Sequence, residues 1–317
     1  MSMYEGLAAV AEEADILILY NGANLHPEFV CQLGLFKVYT AGDDPESTAV
    51  LTRPLAPAFD MHLVNNVACV EMYRGWGLRH VHFWPLGSLS TVDDVGDQTD
   101  DQILDATLRP TPVVFFGEYQ QHRRERLDTL VRAFPQAICA GRGWPRGFVP
   151  WAQMWSTYRR AQIGWNFHNS LGPVNFRSYE LPAYGVLQIC DNKRYLGSLF
   201  ELDREVVGFD TVQECADLTR YFIAHPAKQR ALALAGWKRW RRDYHPDKVW
   251  DRLAELVEPV WRQSRSEQRG VVALKVVHSL RTHRLRTSLW RLLHWGRQLL
   301  VKLKGTIVQL RPPARGQ

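Results

Sequence analysis

The sequence predicts an α/β protein with two Rossmann-like domains in series, the first of them short, followed by a basic amphipathic C-terminal helix. Short runs rich in β-branched and aromatic residues alternate with helix-like segments, and this alternation starts twice along the chain. Near the C-terminus, basic residues are interleaved with Leu, Val and Trp at close to helical spacing. The predicted boundaries are residues 1–105, 106–262 and 263–317.

The first domain is predicted to contain four strands, with helix-like segments such as ACVEMYRGWG between some of them. The strand-like runs are DILILYNG, LFKVYTAG, FDMHLVNN and VHFWPLG. Only about 90 residues precede the acidic, polar run over residues 91–112, which has the composition of a linker. The first domain is therefore expected to be small for its type.

The second domain repeats the alternation with strands at PVVFFGEY, QAICA, QIGWNFH and VLQICDN. Helices are predicted between them and after them, with a break near Pro226. Alternating strands and helices predict a parallel sheet, and doubly wound units of this kind bind ligands beyond the carboxyl ends of their strands.

Composition places the chain among soluble globular proteins, since 46% of its residues are hydrophobic and 23% are charged. Acidic residues stand where a signal peptide would be basic, and no apolar run is long enough to span a bilayer. The five cysteines are scattered and lack metal-type spacing, so we expect reduced thiols in a cytoplasmic protein.

Positive charge is concentrated at the C-terminus. From residue 268 onward there are 11 Lys or Arg and no Asp or Glu, which leaves 28 basic and 33 acidic residues in the rest of the chain. A basic helix rich in Leu and Val favours an anionic membrane surface as the partner of residues 270–311, on the inner face of the membrane. Nucleic acid and a partner helix are the alternatives; nucleic-acid binding is disfavoured because such arms are usually less apolar.

The stretch VNFRSYELPAYG predicts a helix that begins near Asn175 and ends at Gly185. Arg177 and Glu180 would share one face of this helix, because residues three apart are neighbours. An arginine there offers a bidentate donor to phosphate, and a carboxylate one turn later accepts hydrogen bonds from hydroxyl groups such as those of a ribose. The alternative is an ordinary ion pair on the helix surface.

Other candidates stand where predicted strands end. Asn166 and His168 stand at the end of the strand QIGWNFH and are expected to face a ligand, although a lone histidine is more often structural. Asp43 and Asp44 follow the second strand, and either could be the general base for an acceptor hydroxyl, with His26 as a rival. The alternative for the aspartates is a helix cap before Pro45.

The stretch FRSYELPAYGVLQICDN, with the LFELDREVVGFDTVQECADLTRYF that follows its loop, resembles the C-terminal domain of GT-B glycosyltransferases. VVFFGEYQQHRRERLDTL, YRRAQIGWNFHNS and, in the first half, VYTAGDDPES also fit this pattern. The resemblance covers roughly residues 15–260 and is greatest to the spore-maturation CgeB-like group. It implies two Rossmann-like domains, of which the second binds a nucleotide-activated sugar.

The resemblance also implies roles for individual residues around the donor phosphates. Gly117 ends the first strand of the second domain, where the chain would pass close to the diphosphate. Arg123 or Arg124, at the start of the next helix, would face that diphosphate, and Arg177 would hold a phosphate.

For the rest of the donor, the resemblance implies that Glu180 holds the ribose and that either Trp144 or the end of the strand QIGWNFH lies near the base. Retaining families of this fold carry two glutamates eight residues apart. Here Glu180 has Gly172 on one side and Gln188 on the other at that spacing, so the resemblance does not carry over a retaining mechanism.

The predicted function is transfer of a sugar from a nucleotide-sugar to a cell-surface glycan, a lipid-linked saccharide or a protein. The alternative is a non-catalytic nucleotide- or phosphate-binding protein that its basic tail recruits to a membrane. No cofactor is expected, because the nucleotide-sugar is a substrate. No metal is expected either, since the sequence has no DxD, HExxH or paired-cysteine motif.

Overall fold

The structure is a computed structural model that describes residues 3–21, 25–87, 98–191 and 193–267. It contains two parallel β-sheets, each covered by helices on both faces. The predicted C-terminal helix over residues 270–311 lies outside the described residues. Among the described helices, none is both long and apolar enough to cross a bilayer.

The first sheet has four strands in the order β1-β2-β3-β4, all parallel. Each predicted strand of this half is present, slightly shorter than predicted. The elements are α1 Met3–Glu13, β1 Ile16–Tyr20, α2 Pro27–Cys31, β2 Phe36–Ala41, α3 Arg53–Leu55, β3 Met61–Val64, α4 Val70–Gly75 and β4 Val81–Phe83. A five-residue π-helical turn, Thr48–Thr52, leads from β2 to α3.

The second sheet has five parallel strands in the order β6-β5-β7-β8-β9. Its elements are α5 Asp100–Leu104, β5 Thr111–Phe116, α6 Gln121–Ala133, β6 Ile138–Ala140, α7 Trp151–Arg159, β7 Ala161–Asn166, α8 Arg177–Ala183, β8 Leu187–Cys190, α9 Lys193–Leu196, β9 Val207–Gly208, α10 Val212–Ala224, α11 Pro226–Asp243 and α12 Pro246–Glu267. The strand order reverses at β5, which has β6 on one side and β7 on the other. The carboxyl ends of β5 and β7 thus form the topological switch point, where open α/β sheets place their ligands.

The last described helix, α12, follows the second sheet in sequence but packs on the first. Val249 and Val257 of α12 join a buried cluster with Val38 and Leu63 on one face of the first sheet. The indole Nε1 of Trp84 donates a hydrogen bond to the carbonyl of Val249 at 2.9 Å. A strand that is apolar on both sides must be covered on both faces of its sheet. The helix α12 covers one face of the first sheet.

Residues 98–112, which were predicted as part of a polar linker, are instead packed into the second unit. Ile103 of α5 is fully buried in its core. Arg109 is 2% exposed and donates hydrogen bonds to the carbonyls of Ala161 and Tyr184, both at 2.9 Å. Polar composition is misleading here because the charged group of Arg109 is buried against backbone carbonyls.

Candidate functional site

The two sheets approach each other through the loop that follows β7. The side-chain Nδ2 of Asn66, at the carboxyl end of β3, donates to Ser170 Oγ at 3.1 Å and to the Asp44 carbonyl at 2.8 Å. A Cβ atom on Gly172 would lie 1.8 Å from Asn66 Oδ1, so only glycine fits at this contact. The carboxyl ends of the two sheets therefore meet around Ser170, and the candidate site lies there.

Arg177 spans the topological switch point. Its Nη1 donates to the carbonyl of Phe116 at the end of β5, and its Nη2 donates to the carbonyl of Phe167 just after β7, both at 2.8 Å. Its Nε donates to Asn166 Oδ1 at 3.2 Å. These three bonds use three of its five N–H groups and hold the guanidinium between the two strand ends. Burial lowers the pKa of Arg177.

Gly117 lets this arginine approach the backbone. A Cβ atom at position 117 would lie 2.5 Å from Arg177 Nη1. Gly141, at the end of β6, packs against the same point: its Cβ would meet the Gly117 carbonyl oxygen at 2.4 Å, and its φ of +132° disfavours any side chain. The close neighbour of the Gly117 backbone is thus the Arg177 side chain.

A buried chain of hydrogen bonds runs from Asp191 to Arg177. Asp191 Oδ1 lies 2.7 Å from His168 Nδ1, and His168 Nε2 lies 3.0 Å from Ser178 Oγ. Asn166 Nδ2 donates to Ser178 Oγ at 3.1 Å, and Asn166 Oδ1 accepts from Arg177. Burial lowers the pKa of His168 despite the opposing effect of Asp191. The chain fixes the position of Arg177 through residues on β7, β8 and α8.

Sequence reasoning singled out Asn166 and His168 but missed Ser178 and gave Asp191 no role. Asp191 stands directly after the strand VLQIC, and a polar residue in that position was the available signal. Ser178 carries no such signal, because its hydroxyl is recognisable only through the partners that the fold brings to it.

Arg123 is buried, and its guanidinium donates hydrogen bonds to backbone and side-chain oxygens of the protein. Its Nε donates to the Glu118 carbonyl at 3.0 Å, and its Nη1 donates to the Phe167 carbonyl at 3.0 Å and to Asn169 Oδ1 at 2.8 Å. Burial, assisted by the nearby charge of Arg177, lowers the pKa of Arg123 to about 9. These bonds tie α6 to the ends of β5 and β7, so most of its N–H groups already serve the fold.

Arg124 and Trp144 meet on the ring of Tyr119. The guanidinium carbon of Arg124 lies 4.6 Å from the centre of that ring, and the ring of Trp144 lies 4.5 Å from it. The Nε1 of Trp144 donates to the Gly117 carbonyl at 2.9 Å. Trp144 is therefore next to the switch point, and Arg124 contacts the same ring of Tyr119.

Glu180 is buried on α8, at 2% exposure, so it does not form the surface ion pair that was the alternative. The helix begins two residues later than predicted, and Asn175 Oδ1 accepts a hydrogen bond from the Ser178 amide at 3.1 Å. Gly185 follows the helix with a φ of +63°, as a helix-terminating glycine does. The charge of Glu180 raises the pKa of Tyr158, after the larger effect of burial.

Beside the first sheet, the adjacent residues Asp43 and Asp44 differ in burial and in their hydrogen-bond partners. Asp44 is fully buried, and its carboxylate accepts hydrogen bonds from Ser47, Thr48 and Thr52 at 2.8–3.0 Å and from Tyr73 at 2.5 Å. Such a carboxylate has its acceptor positions filled by the protein. The geometry therefore favours a structural role for Asp44 over the predicted role as a base.

Asp43 is exposed, and its Oδ2 accepts a hydrogen bond from Asn21 Nδ2 at 2.8 Å. His26 is buried and caps α2, since its Nδ1 accepts from the Glu28 amide at 3.2 Å. Sequence reasoning overlooked Glu46. Partial burial raises the pKa of its carboxyl group, and the nearby charges of Asp44 and Asp43 raise it further, whereas a hydrogen bond with the Ser170 hydroxyl lowers it. Glu46 thus faces the loop that joins the two sheets.

One cluster of the described residues has the ligand types of a metal site. Atoms of His168, Cys190 and Asp191 lie within 4.8 Å of one another. Both ring nitrogens of His168 already have hydrogen-bond partners, and Arg126 Nη1 lies 3.7 Å from Asp191 Oδ2. The neighbouring positive charge opposes a cation. None of the five cysteines, all of which lie among the described residues, forms a disulfide.

Part of the second unit matches a known protein family. Residues 121–255, from the start of α6 into α12, match a family described as glycosyl transferase-like. No curated protein sequence matches the chain.

Solved structures match both units together. Alr3699/HepE from Anabaena, in complex with UDP-glucose, is 14% identical with a TM-score of 0.62, over 81% of this chain and 82% of that one. Sucrose-phosphate synthase from Thermosynechococcus elongatus is 13% identical with a TM-score of 0.60, over 82% and 77%. A glycosyltransferase from Rickettsia africae is 10% identical with a TM-score of 0.58, over 81% and 80%.

At these identities the structures establish the fold alone, which agrees with the predicted α/β class with two parallel-sheet units. The chain has the fold of GT-B glycosyltransferases, and the family match over its second unit supports a place among the glycosyl transferase-like proteins.

Proposed function

We propose that the protein is a glycosyltransferase that takes a sugar from a UDP-sugar and transfers it to a cell-surface glycan, a lipid-linked saccharide or a protein. The observation that carries this proposal is the position of Arg177 at the switch point of the second sheet. The solved structures of this fold that contain UDP or UDP-glucose support UDP as the nucleotide. The finer placement in the CgeB-like group rests on the sequence motifs alone.

In this proposal the donor diphosphate lies beside Gly117 and Arg177. Arg177 is held by two carbonyls and by Asn166, so it need not reorganise when negative charge develops on the leaving diphosphate. Glu180 accepts hydrogen bonds from the ribose, and Trp144 lies on the side of the base. Arg123 acts indirectly, because it braces the strand ends.

The acceptor hydroxyl approaches from the first sheet in a single displacement that inverts the anomeric centre. The acceptor oxygen bonds to the anomeric carbon, the bond from that carbon to the diphosphate breaks, and the hydroxyl proton passes to a carboxylate. Asp43 and Glu46 are the candidates for this base. The raised pKa of Glu46 brings it closer to neutral pH, where a general base is most effective.

The decisive experiment is titration calorimetry with UDP, UDP-glucose, ADP and GDP. It compares wild type with Arg177→Lys and Glu180→Gln, both of which preserve volume. The matched control is Arg204→Lys, since Arg204 is exposed and forms an ion pair with Glu201. We expect UDP binding that is about tenfold weaker or worse in the first two variants, since a hydrogen bond to a charged group contributes about 1.5–3 kcal/mol, and unchanged in the control.

Release of UDP from UDP-glucose is measured on the same samples, with and without EDTA. UDP release that EDTA does not reduce is expected if transfer needs no metal. Tight UDP binding without any turnover of a UDP-sugar supports the alternative, a non-catalytic nucleotide-binding protein. If no nucleotide binds, the glycosyltransferase proposal fails.

We further propose that the protein is cytoplasmic and lies on the inner face of the membrane, held there by the basic segment over residues 270–311. Nucleic acid is not proposed as a partner. Sedimentation with anionic vesicles, before and after removal of residues 268–317, tests the contribution of this segment.

A further inference from the structure

An exposed aromatic surface lies on the second unit beside Trp144, the buried residue of the same loop that is assigned to the donor. It is formed by the loop after β6 and by α7, residues 142–160, and we call it the aromatic–arginine surface. Phe148 is 74% exposed and Trp151 is 47% exposed. The ring of Trp155, one turn further along α7, lies 6.2 Å from that of Trp151. Large apolar side chains grouped in water mark an interaction site more often than scattered ones do.

Every charged side chain within residues 142–160 is an arginine. Residues 129–179 contain six arginines and no Asp, Glu or Lys. Four of the arginines are exposed within the surface: Arg142, Arg146, Arg159 and Arg160. A stretch of 51 residues without an acidic side chain makes this face electropositive, although Glu118 lies 3.3 Å from Arg142 at its edge.

The outer side of α7 also offers a recess for an anionic group. A shallow pocket there is lined by Ala152, Trp155, Ser156, Arg159 and Arg160. Two guanidinium groups and a hydroxyl beside an indole suit a phosphate that is attached to an apolar chain.

The surface begins beside the candidate donor site. The loop that carries Phe148 leaves the carboxyl end of β6 at Gly141, which packs against Gly117. The loop end of the surface therefore lies at the edge of the sheet where Arg177 lies, whereas Arg160 directly precedes the amino end of β7.

We propose that the aromatic–arginine surface docks on a bilayer that contains anionic phospholipid. Phe148 and Trp151 enter the headgroup region, where aromatic rings are favoured, while the arginines contact lipid phosphates. This contact is separate from the basic C-terminal segment, and two contacts together give firmer attachment than either alone. The proposal rests on the proposed function only in that docking would present the donor site to a lipid-linked acceptor.

Charge argues against two other occupants. The C-terminal segment has eleven basic and no acidic residues from position 268 onward, so this surface repels it. The same surface of a second copy is equally positive, so face-to-face self-association is opposed. Anionic lipid has the complementary charge.

The contact is tested directly with a fluorescent probe on the full chain. Phe148→Cys is labelled with a nitrobenzoxadiazole dye in a Cys31→Ser background, because Cys31 is exposed and the other four cysteines are buried. Trp250→Cys, at a 61% exposed position on α12, is the control label. The vesicles contain either phosphatidylcholine alone, which carries no net charge, or phosphatidylcholine with about 30% phosphatidylglycerol, which is anionic.

We expect a blue shift and a rise in emission from position 148 with the anionic vesicles only, and none from position 250. If the labelled chain sediments with anionic vesicles but the dye at 148 remains in water, the tail alone makes the contact and the proposal is wrong. Absence of binding to anionic vesicles also overturns it.

A second measurement compares vesicle affinity of paired charge variants. Arg146→Gln with Arg160→Gln is expected to bind anionic vesicles about thirtyfold more weakly, since each of the two basic residues near an anionic surface adds about 1 kcal/mol. Arg204→Gln with Arg220→Gln, at exposed positions elsewhere, should match wild type. Equal vesicle binding by both pairs contradicts the proposal.

The same variants are also titrated with a 20-nucleotide single-stranded RNA and with UDP. A loss of RNA binding without a loss of vesicle binding would identify a nucleic-acid site and overturn the membrane proposal. UDP binding is expected to be unchanged in all four substitutions. The outcome for docking is thereby separated from the outcome for the donor site.

Discussion

His168 Nδ1 lies 2.7 Å from Asp191 Oδ1, and both side chains are buried at the carboxyl ends of neighbouring strands β7 and β8. Asp191 also accepts from the His168 amide through both of its oxygens, at 3.1 Å. The other ring nitrogen of His168 lies 3.0 Å from Ser178 Oγ. The pair therefore anchors the chain of hydrogen bonds that ends at Arg177.

Stability is predicted to fall when His168 must take up a proton. Burial lowers its pKa below the ordinary 6.5, and the nearby charges of Arg177 and Arg123 add to this effect. The unfolded chain then binds more protons than the folded one between the lowered pKa and 6.5, so the free energy of unfolding decreases as pH falls through that window. Urea denaturation from pH 7.5 to 5 measures this decrease.

His168→Gln is expected to flatten that pH dependence, because glutamine does not titrate. His225→Gln, at an exposed histidine, is the control and should keep the slope of the wild type. Parallel slopes for wild type and His168→Gln would show that His168 does not carry the effect.

Gly117→Ala is predicted to weaken UDP binding. The added Cβ would lie 2.5 Å from Arg177 Nη1 and would displace the guanidinium from its carbonyl partners at the ends of β5 and β7. Loss of one charged hydrogen bond to phosphate corresponds to about tenfold in affinity. Calorimetry with UDP measures it, with Gly75→Ala as control, because nothing lies within 4 Å of a Cβ there. Unchanged affinity would place the diphosphate elsewhere.

Gly141→Ala is predicted to destabilise the fold instead. Its Cβ would meet the Gly117 carbonyl oxygen at 2.4 Å, and this atom belongs to the backbone. The φ of +132° adds strain for any side chain. We expect the free energy of unfolding to fall by about 2 kcal/mol or more, measured by urea denaturation. A variant as stable as wild type would show that the β6 loop adjusts freely.

Substitution of Asp44 is predicted to affect stability, whereas substitution of Asp43 is predicted to leave stability nearly unchanged. Asp44→Asn should lower the free energy of unfolding by about 3 kcal/mol, because four hydroxyl groups donate to the carboxylate. Asp43→Asn should change it by less than about 0.5 kcal/mol, as surface substitutions usually do.

If Asp43 is the base, Asp43→Asn also lowers turnover of the UDP-sugar without weakening UDP binding. Glu46→Gln is the parallel variant for the other candidate. The base is whichever of the two lowers turnover, and normal turnover in both variants would exclude a base on this loop.

Arg109→Met is predicted to destabilise the second unit by about 3 kcal/mol. The guanidinium of Arg109 donates to the carbonyls of Ala161 and Tyr184, and its removal leaves these buried acceptors without it. Burial lowers the pKa of Arg109 to about 10. Urea denaturation measures the change, with Arg132→Met, at an exposed position, as control. A change below about 1 kcal/mol would mean that residues 98–112 contribute little to the unit.

Sequence reasoning predicted the strands well because each is a short apolar run bounded by turn residues, as at ILILY or LQIC. It also pointed to Asn166 and His168, since polar residues at the ends of parallel strands converge on one edge. Arg177 was predicted from its place at the start of a helix. It did not distinguish Asp43 from Asp44, because two adjacent carboxylates are identical until the fold buries one of them. The burial of Arg109 was likewise invisible in a polar stretch.

The sequence by itself determined which segments form strands and helices, because periodicity and turn residues act over a few neighbouring positions. The tertiary structure decided which groups meet: that α12 covers the first sheet, that Arg123 braces strand ends, and that Ser178 joins His168 to Asn166. Contacts of this kind join residues far apart in sequence. The free energy that selects them comes from burial and hydrogen bonding in the folded molecule, and no local pattern records it.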